Sequence, residues 1–278
     1  MTSAYVCLDA SDDTVESSVL RDVATVHMLG ADSTTEITSL AKLGNADVVA
    51  VWHTVVLDER ALACMPQCRA IVRMGVGFDN VDVAAAGRLG IPVANIPDYG
   101  TEEVADSALA LILGLFRGTL AGIERTSRGE EIRGADAIAA AVPYIRRVRG
   151  SVLGLVGLGR IGMAVAVRAK ACGFEVHFFD PYVADGFDKA VGITRQTSLD
   201  ALLAVSACIS LHCNPVAGGD DPVASRSAPR GYIDAARLAQ MARGAFLVNT
   251  ARGELGEAWK RKPFSGSHLA DALDRFAS

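Results

Sequence analysis

No stretch of this 278-residue sequence is a long hydrophobic run. The longest unbroken apolar segment near its middle, Ala108 to Leu113, is far too short to cross a bilayer, which argues against a membrane protein. The N-terminal MTSAYVCLDA has no basic start followed by an apolar block, so no signal peptide is expected. Positive charge is not in excess either. With 27 Lys and Arg against 32 Asp and Glu, the net charge of −5 argues against a general nucleic-acid binder. The arginine-rich patch from Arg125 to Arg149 is accompanied by Glu124, Glu130, Glu131 and Asp136 and reads as a solvated face. The six cysteines have no metal-ligand spacing. Cys64 and Cys68, four apart, would share a helix face, but no second ligand pair stands nearby, so no metal is expected. Free thiols in a reducing cytoplasm or nucleus follow. No short-period repeat is visible.

What is present is an α/β pattern. At this length one core tends to split, so two domains are expected, and a composition half hydrophobic and one-fifth charged is ordinary for a globular chain. The most informative stretch is Gly150 to Pro181, GSVLGLVGLGRIGMAVAVRAKACGFEVHFFDP. Val152–Val156 is a short apolar run suited to a buried strand. It stops at Gly157, Gly159 and Gly162, which satisfy G-x-G-x-x-G. Ile161–Ala171 suits a helix that Gly173 would cap. Glu175–Phe179 is a second strand ending on Asp180. Each part has a task in holding a dinucleotide. Gly157 allows the tight turn, Gly159 lets the pyrophosphate approach the backbone, and Gly162 lets the helix pack closely on the strand. The helix N-terminus offers free amides to phosphate. Asp180, 18 positions after Gly162, stands where an acid accepts the adenosine ribose hydroxyls, and its charge would repel a 2′-phosphate. NAD is therefore favoured over NADP. The alternative is a glycine-rich βαβ turn without a ligand.

Before this stretch, Tyr5–Leu8, Val23–Leu29, Asp47–Trp52, Ala70–Met74 and Pro92–Ile96 read as short strands. Helical segments are expected at Ser33–Leu43, Asp58–Met65 and Asp82–Leu89. Strands alternating with helices indicate parallel sheets covered on both faces. A long helix starts at Thr101, an expected N-cap followed by Glu102 and Glu103, although Val104 replaces the acid of a capping box. After the fingerprint, strands are expected at Ala207–Leu211 and Ala245–Val248, with a short one near Ile193. A helix is expected at Asp234–Met241, and Val216–Arg230 reads as a surface loop.

Four stretches together resemble the D-isomer-specific 2-hydroxyacid dehydrogenases. Arg73–Asp82 (RMGVGFDNVD) is similar to their substrate loop and Thr101–Ser107 (TEEVADS) to the start of their interdomain helix. GLGRIG with Asp180 is similar to their cofactor site, and Asn249–Gly253 (NTARG) to their substrate-arginine loop. Within that superfamily Asp12–Val26, Val51–Thr54 (VWHT) and Ser210–Cys213 (SLHC) look most like the C-terminal-binding proteins, NAD-binding transcriptional corepressors. The resemblance implies two doubly wound parallel-sheet domains. Residues 1–98 would form a flavodoxin-like substrate domain and 99–278 a Rossmann NAD-binding domain. It further implies that Val76 and Gly77 present backbone amides to the substrate carboxylate and that Arg252 binds the 2-oxo or 2-hydroxy acid. Gly157, Leu158, Gly159, Arg160, Ile161, Gly162, Asp180, Cys213, Asn214, Thr250 and Ala251 would contact NAD. Arg252 could instead be a plain surface arginine, but it follows a strand end, where open α/β sheets bind ligands.

The family reaction also uses a histidine as acid/base, with a glutamate behind it, and both lie well after the arginine loop. Whether His268–Asp274 matches the family's next helix or Ala272–Asp274 a later strand, the 26 residues that follow Arg252 hold no counterpart to them, so the active site reads as incomplete and the chain as C-terminally truncated. His53 is the candidate substitute. His212 ends a strand near the cofactor without being the family's acid, His27 and His177 sit in apolar strands, and His268 falls on a predicted helix. A truncated dinucleotide domain would leave a sheet edge and apolar surface exposed. The expected function is an NAD-dependent oxidoreductase of the CH–OH group of a 2-hydroxy acid. The alternatives are an NAD(H)-sensing corepressor-like protein binding short peptides, in which His27 replaces a small groove residue, and an inactive fragment. A homodimer is implied by relatives, in the cytoplasm, or in the nucleus for a corepressor.

Overall fold

The computed structural model describes residues 3–33, 41–130, 134, 145–214 and 231–256. By its internal contacts the chain divides into two units, Met1–Gly100 and Thr101–Ser278. The first runs β1 (Ser3–Cys7), α1 (Thr14–Leu20), β2 (Ala24–Met28), a 3-10 turn (Ala41–Asn45), β3 (Val48–Val51), α2 (Glu59–Ala63), β4 (Ala70–Arg73), α3 (Val83–Arg88) and β5 (Val93–Asn95). All strand pairs are parallel, in the order β2-β1-β3-β4-β5, which is the flavodoxin-like order. Asp58 and Asp82 start α2 and α3 by accepting the amides of Ala61 and Ala85 at 2.9 and 2.8 Å.

The second unit runs α4 (Thr101–Arg117), α5 (Thr119–Ser127), β6 (Val152–Val156), α6 (Arg160–Ala171), β7 (Glu175–Phe179), α7 (Phe187–Val191), β8 (Thr194–Arg195), α8 (Leu199–Val205), β9 (Cys208–Leu211), α9 (Ala235–Gln240) and β10 (Phe246–Asn249). Its parallel sheet has the order β10-β9-β6-β7-β8, five strands of the Rossmann pattern. Side chains alternate across β6. Leu153 and Leu155 enter a core with Ala105, Ile112 and Phe116 of α4 and Val165 and Ala169 of α6. Val156 faces the opposite core, with Leu199, Leu202 and Leu203 of α8. Both faces of the sheet are thus covered, as parallel sheets require.

Gly154 lies on the α8 face, where a Cβ would sit 2.3 Å from Ser206 Oγ, 2.7 Å from Ile209 Cδ1 and 3.1 Å from Leu202 Cδ1. The two methyls can swing aside. The Ser206 hydroxyl is less free, because it donates to Leu202 O at 2.6 Å in a buried site. Gly154→Ala should therefore lower stability by about 1–2 kcal/mol, read from the denaturant midpoint.

Several expectations need revision. The long helix begins at Thr101 itself, so Thr101 occupies its first turn rather than the cap, with Glu102 and Glu103 beside it. Cys64 caps the end of α2 and Cys68 lies beyond it, so their spacing is not helical. Of the helix expected at 33–43, the described part is the 3-10 turn from Ala41, and 34–40 lie outside the described residues. Arg146 is not merely solvated: it donates to Gly244 O at 2.7 Å and lies over the Phe246 ring. The loop at 216–230, Glu131 and Asp136 of the arginine patch and everything from 257 onward, including His268, lie outside the described residues, whereas Glu124 and Glu130 pair with Arg128 and Arg125. Among the described residues no single helix is long and apolar enough to cross a membrane, and none of their His, Cys, Asp and Glu side chains gather into a group able to hold a metal ion.

Candidate functional site

In the second unit the strand order reverses between β6 and β9, and the chain leaving each strand meets there. Gly157 follows β6 with φ +92°, a backbone angle that L side chains rarely adopt. A Cβ on it would lie 2.8 Å from the His212 carbonyl oxygen, after β9. Gly162, in the first turn of α6, is closer still: its Cβ would lie 2.3 Å from Gly157 O. The two glycines therefore lock turn, helix and neighbouring strand end into one layer. Gly159 differs, since a Cβ there would meet nothing within 4 Å. The space in front of it is open, no side chain caps α6, and no acid lies in its first turn. A 12-residue helix aims its N-terminal amides and positive dipole end into that space.

Asp180 closes the arrangement. Its Oδ2 accepts the Leu158 amide at 2.8 Å and its Oδ1 the Tyr182 amide at 2.9 Å. The acid at the end of β7 thus holds the glycine turn directly, leaving its remaining lone pairs for ribose hydroxyls. Cys213 and Tyr232 are near enough to Asp180 to feel its charge. Burial is the larger effect on both, and it pushes the Cys213 thiol up to about 12 and the Tyr232 hydroxyl upward. Neither is ionised at neutral pH. Asn214 is exposed just beyond.

His212 sits beneath the turn. Its ring nitrogen Nε2 is 2.9 Å from Ser210 Oγ, and burial pulls its pKa down to about 4, so it is neutral under ordinary conditions. No sequence pattern announces this packing role, because the contact joins two strand ends 55 positions apart.

After β10, the loop Thr250–Arg252 is held from within. Asn249 Nδ2 donates to Arg252 O at 2.7 Å, and Asn249 Oδ1 accepts the Ala251 amide at 2.9 Å. Arg252 Nη1 donates to Ala251 O at 2.9 Å. The Thr250 hydroxyl is buried without a hydrogen-bond partner among the described residues. Open space at Gly159, unblocked helix amides, a pinned acid and an orphaned hydroxyl are the features a dinucleotide would use. The second unit fits one.

The first unit has its own loop cluster at the carboxyl ends of its strands. At its reversal point, between β1 and β3, the Asp9 carboxylate accepts the amides of Trp52, Thr54 and Val55 at 2.7, 2.9 and 3.3 Å. That cradle is filled by the protein itself. The loop after β4 is different: among the described residues the amides of Val76 and Gly77 donate to no acceptor. Asn95 Nδ2 holds Val76 O at 2.8 Å, which fixes the loop. Arg73, only 7% exposed, lays its guanidinium against Gly75, where a Cβ would fall 1.7 Å from Nη1. Asn80 accepts from Arg73 Nε at 3.5 Å and donates to Trp52 O and Val55 O at 3.0 and 2.8 Å. A buried cation and two amides without an acceptor among the described residues thus belong to one loop. Arg73 and Asn80 lie inside the substrate-loop motif, yet nothing in the sequence alone marks their burial. His53 is exposed on its loop.

Comparison with known proteins agrees with this geometry. Residues 109–258 match the family described as D-isomer specific 2-hydroxyacid dehydrogenase, NAD binding domain. The chain is 41% identical over 248 residues to C-terminal-binding protein 1 of Caenorhabditis elegans, covering 89% of this chain and 33% of that protein. It is 36% identical over 245 residues to D-3-phosphoglycerate dehydrogenase of Mycobacterium bovis, covering 86% and 42%. It thus spans between a third and a half of the length of these curated relatives. Among solved structures, the D-lactate dehydrogenase of Aquifex aeolicus, determined with NAD and lactic acid, superposes with a TM-score of 0.78. It is 26% identical and covers 98% of this chain and 74% of that one.

Proposed function

This chain belongs to the D-isomer-specific 2-hydroxyacid dehydrogenase family, and from that premise we propose that it binds NAD(H) in its second unit and acts on the CH–OH group of a small 2-hydroxy acid. The observation that carries the reading is the Leu158–Asp180 hydrogen bond at the strand reversal, which joins the glycine turn to the ribose acid. Gly157, Leu158, Gly159, Arg160, Ile161 and Gly162 would hold the pyrophosphate and Asp180 the adenosine ribose. Cys213, Asn214, Thr250 and Ala251 would line the rest. When bound, NADH supplies a hydride to the carbonyl carbon of a 2-oxo acid.

The chain's own residues do the binding and orienting. Arg252 matches the paired oxygens of a 2-oxo acid in a planar fork. Its main chain, fixed through Asn249, sets where that fork starts. In the first unit, the amides of Val76 and Gly77 would take the substrate carboxylate, with the Arg73 guanidinium adding charge. His212, held neutral by burial and engaged with Ser210, is not the proton donor to the substrate oxygen.

Calorimetric titration with NADH, followed by a panel of glyoxylate, pyruvate and hydroxypyruvate, tests the reading. Arg252→Ala should leave NADH affinity unchanged and weaken 2-oxo acid binding about tenfold, the loss of a hydrogen bond to a charged group. No NADH binding by the unaltered chain would overturn it.

A second reading rests on the 41% identity to C-terminal-binding protein 1: an NAD(H)-sensing corepressor-like protein without turnover, binding short peptides and forming a homodimer. Peptide capture with and without NADH, and sedimentation under both conditions, separate it from the first. All six cysteines are free, which supports a reducing compartment, cytoplasmic for the enzyme and nuclear for the corepressor.

A further inference from the structure

Arg195 lies on β8, a two-residue strand that among the described residues pairs only with β7, through His177↔Thr194 and Phe178↔Arg195. Its guanidinium carbon sits 5.1 Å from the centroid of the Phe178 ring, which is fully buried. From there its Nη2 donates to Val183 O at 3.0 Å and Ala184 O at 2.8 Å, and its Nη1 to Asp180 O at 3.4 Å. The neighbouring Gln196 amide donates to Phe178 O at 2.8 Å, which fixes the base of the side chain. One arginine therefore gathers three carbonyls of the turn that follows β7. The same turn supplies the Tyr182 amide to Asp180 Oδ1, while Asp180 Oδ2 holds Leu158 of the glycine turn.

We infer that Arg195 is the positioning residue of the ribose-reading acid: it fixes the Asp180–Ala184 turn, and through that turn the direction in which the Asp180 carboxylate points. This rests on the cofactor reading above. The contacts of Arg195 are with the turn after β7 and the Phe178 ring, and nothing in the fingerprint marks it. A bland alternative is an arginine that only plugs the carbonyls of a surface turn. The alternatives differ in consequence. Of the three accepting residues Ala184 is exposed and Asp180 and Val183 are half-buried, so water can reach the turn and folding should change less than ligand discrimination. Ligand discrimination at the ribose should change more, because a carboxylate that swings loses a directional bond.

The test compares NADH with an analogue lacking the adenosine ribose 2′-hydroxyl, both titrated calorimetrically into the full chain. The unaltered chain should prefer NADH about tenfold, the worth of one hydrogen bond to a charged acceptor. In Arg195→Met the preference should fall to about twofold, with analogue affinity unchanged and the circular dichroism of the folded chain retained. Arg195→Lys should recover part of it, since one ammonium can reach some of the carbonyls but not grip all three. Hydrogen exchange on the ligand-free chain gives a second readout: in Arg195→Met the amides of Leu158 and Tyr182 should exchange faster than those of β6. An unchanged preference with unchanged exchange overturns the inference, as does an equal loss for both ligands. If the unaltered chain binds NADH without preferring it over the analogue, Asp180 does not read the ribose and the inference fails while NADH binding stands. If it binds neither, the cofactor reading fails first.

Discussion

Gly162→Ala should reduce NADH affinity about a hundredfold and lower stability by about 2–3 kcal/mol. The new methyl would lie 2.3 Å from Gly157 O and 3.2 Å from Gly157 C. Those are backbone atoms that cannot swing away like the end of a side chain. Gly157 is itself confined, since it needs φ +92° and the His212 carbonyl stands 2.8 Å from where its own Cβ would be. The strain must therefore be taken up by the whole turn, including the Leu158 amide held by Asp180. Displacing the turn removes one or two charge-assisted hydrogen bonds to the pyrophosphate, each worth about 1.5–3 kcal/mol, hence the hundredfold. Gly159→Ala is the control on the same turn. A Cβ there enters open space, so folding should be unaffected and any loss of affinity comes from crowding the ligand. Calorimetry and denaturant melts on both variants decide the matter. A Gly162→Ala chain that binds NADH within threefold of the parent would show that the pyrophosphate does not rest on this turn.

Acid should destabilise the second unit through His212. Burial holds its pKa near 4 in the folded chain, against about 6.5 when unfolded. The folded state therefore favours the neutral ring. The stabilisation it contributes is fully present above about pH 6.5 and declines as pH falls through that window. It is lost once the pH is below the folded pKa of about 4. At about 1.36 kcal/mol per unit the full loss is about 3 kcal/mol. His177, whose pKa burial also lowers, acts in the same direction. Denaturant midpoints measured at intervals from pH 7 to 4 should fall more steeply for the parent than for His212→Asn, which has no proton to gain. Parallel curves would mean that His212 is not buried in the neutral form.

How much of this was legible depends on punctuation. β6 and β7 were readable to the residue because three glycines and an aspartate bracket two apolar runs. The strands of the first unit shifted by one or two residues at their ends, where apolar character runs past the last ladder bond. α1 escaped notice because none of its side chains is buried, so no apolar stripe exists to detect. α8 was missed for the opposite reason. Leu199, Leu202 and Leu203 do fall at helical spacing, and the Ser198 hydroxyl accepts the Ala201 amide, but seven residues are too few to establish a period against the strand that follows. The glycine turn and Asp180 carried the site in the sequence. What did not show is whatever depends on contact between distant strand ends, His212 under Gly157 and Asp9 in the Trp52–Val55 cradle, or on how one side chain folds back, as Arg73 does against Gly75.

The double grip of Asp180 also limits how this protein can change. Its two carboxylate oxygens already hold Leu158 and Tyr182. The side chain expected to exclude a 2′-phosphate is therefore also a structural rivet of the glycine turn. A substitution that removed both acceptor oxygens to admit a phosphorylated cofactor would, in the same step, release two amides and loosen the pyrophosphate seat. Altered preference and impaired grip would arrive together, so an intermediate on that path is worse than either end. A switch of cofactor, by drift or by design, must then pass through a replacement such as asparagine or serine that still accepts from Leu158, or through a prior change that secures the turn by other means. Cofactor choice in this chain is buffered, by the geometry of one side chain, against single mutations that leave no acceptor at that position.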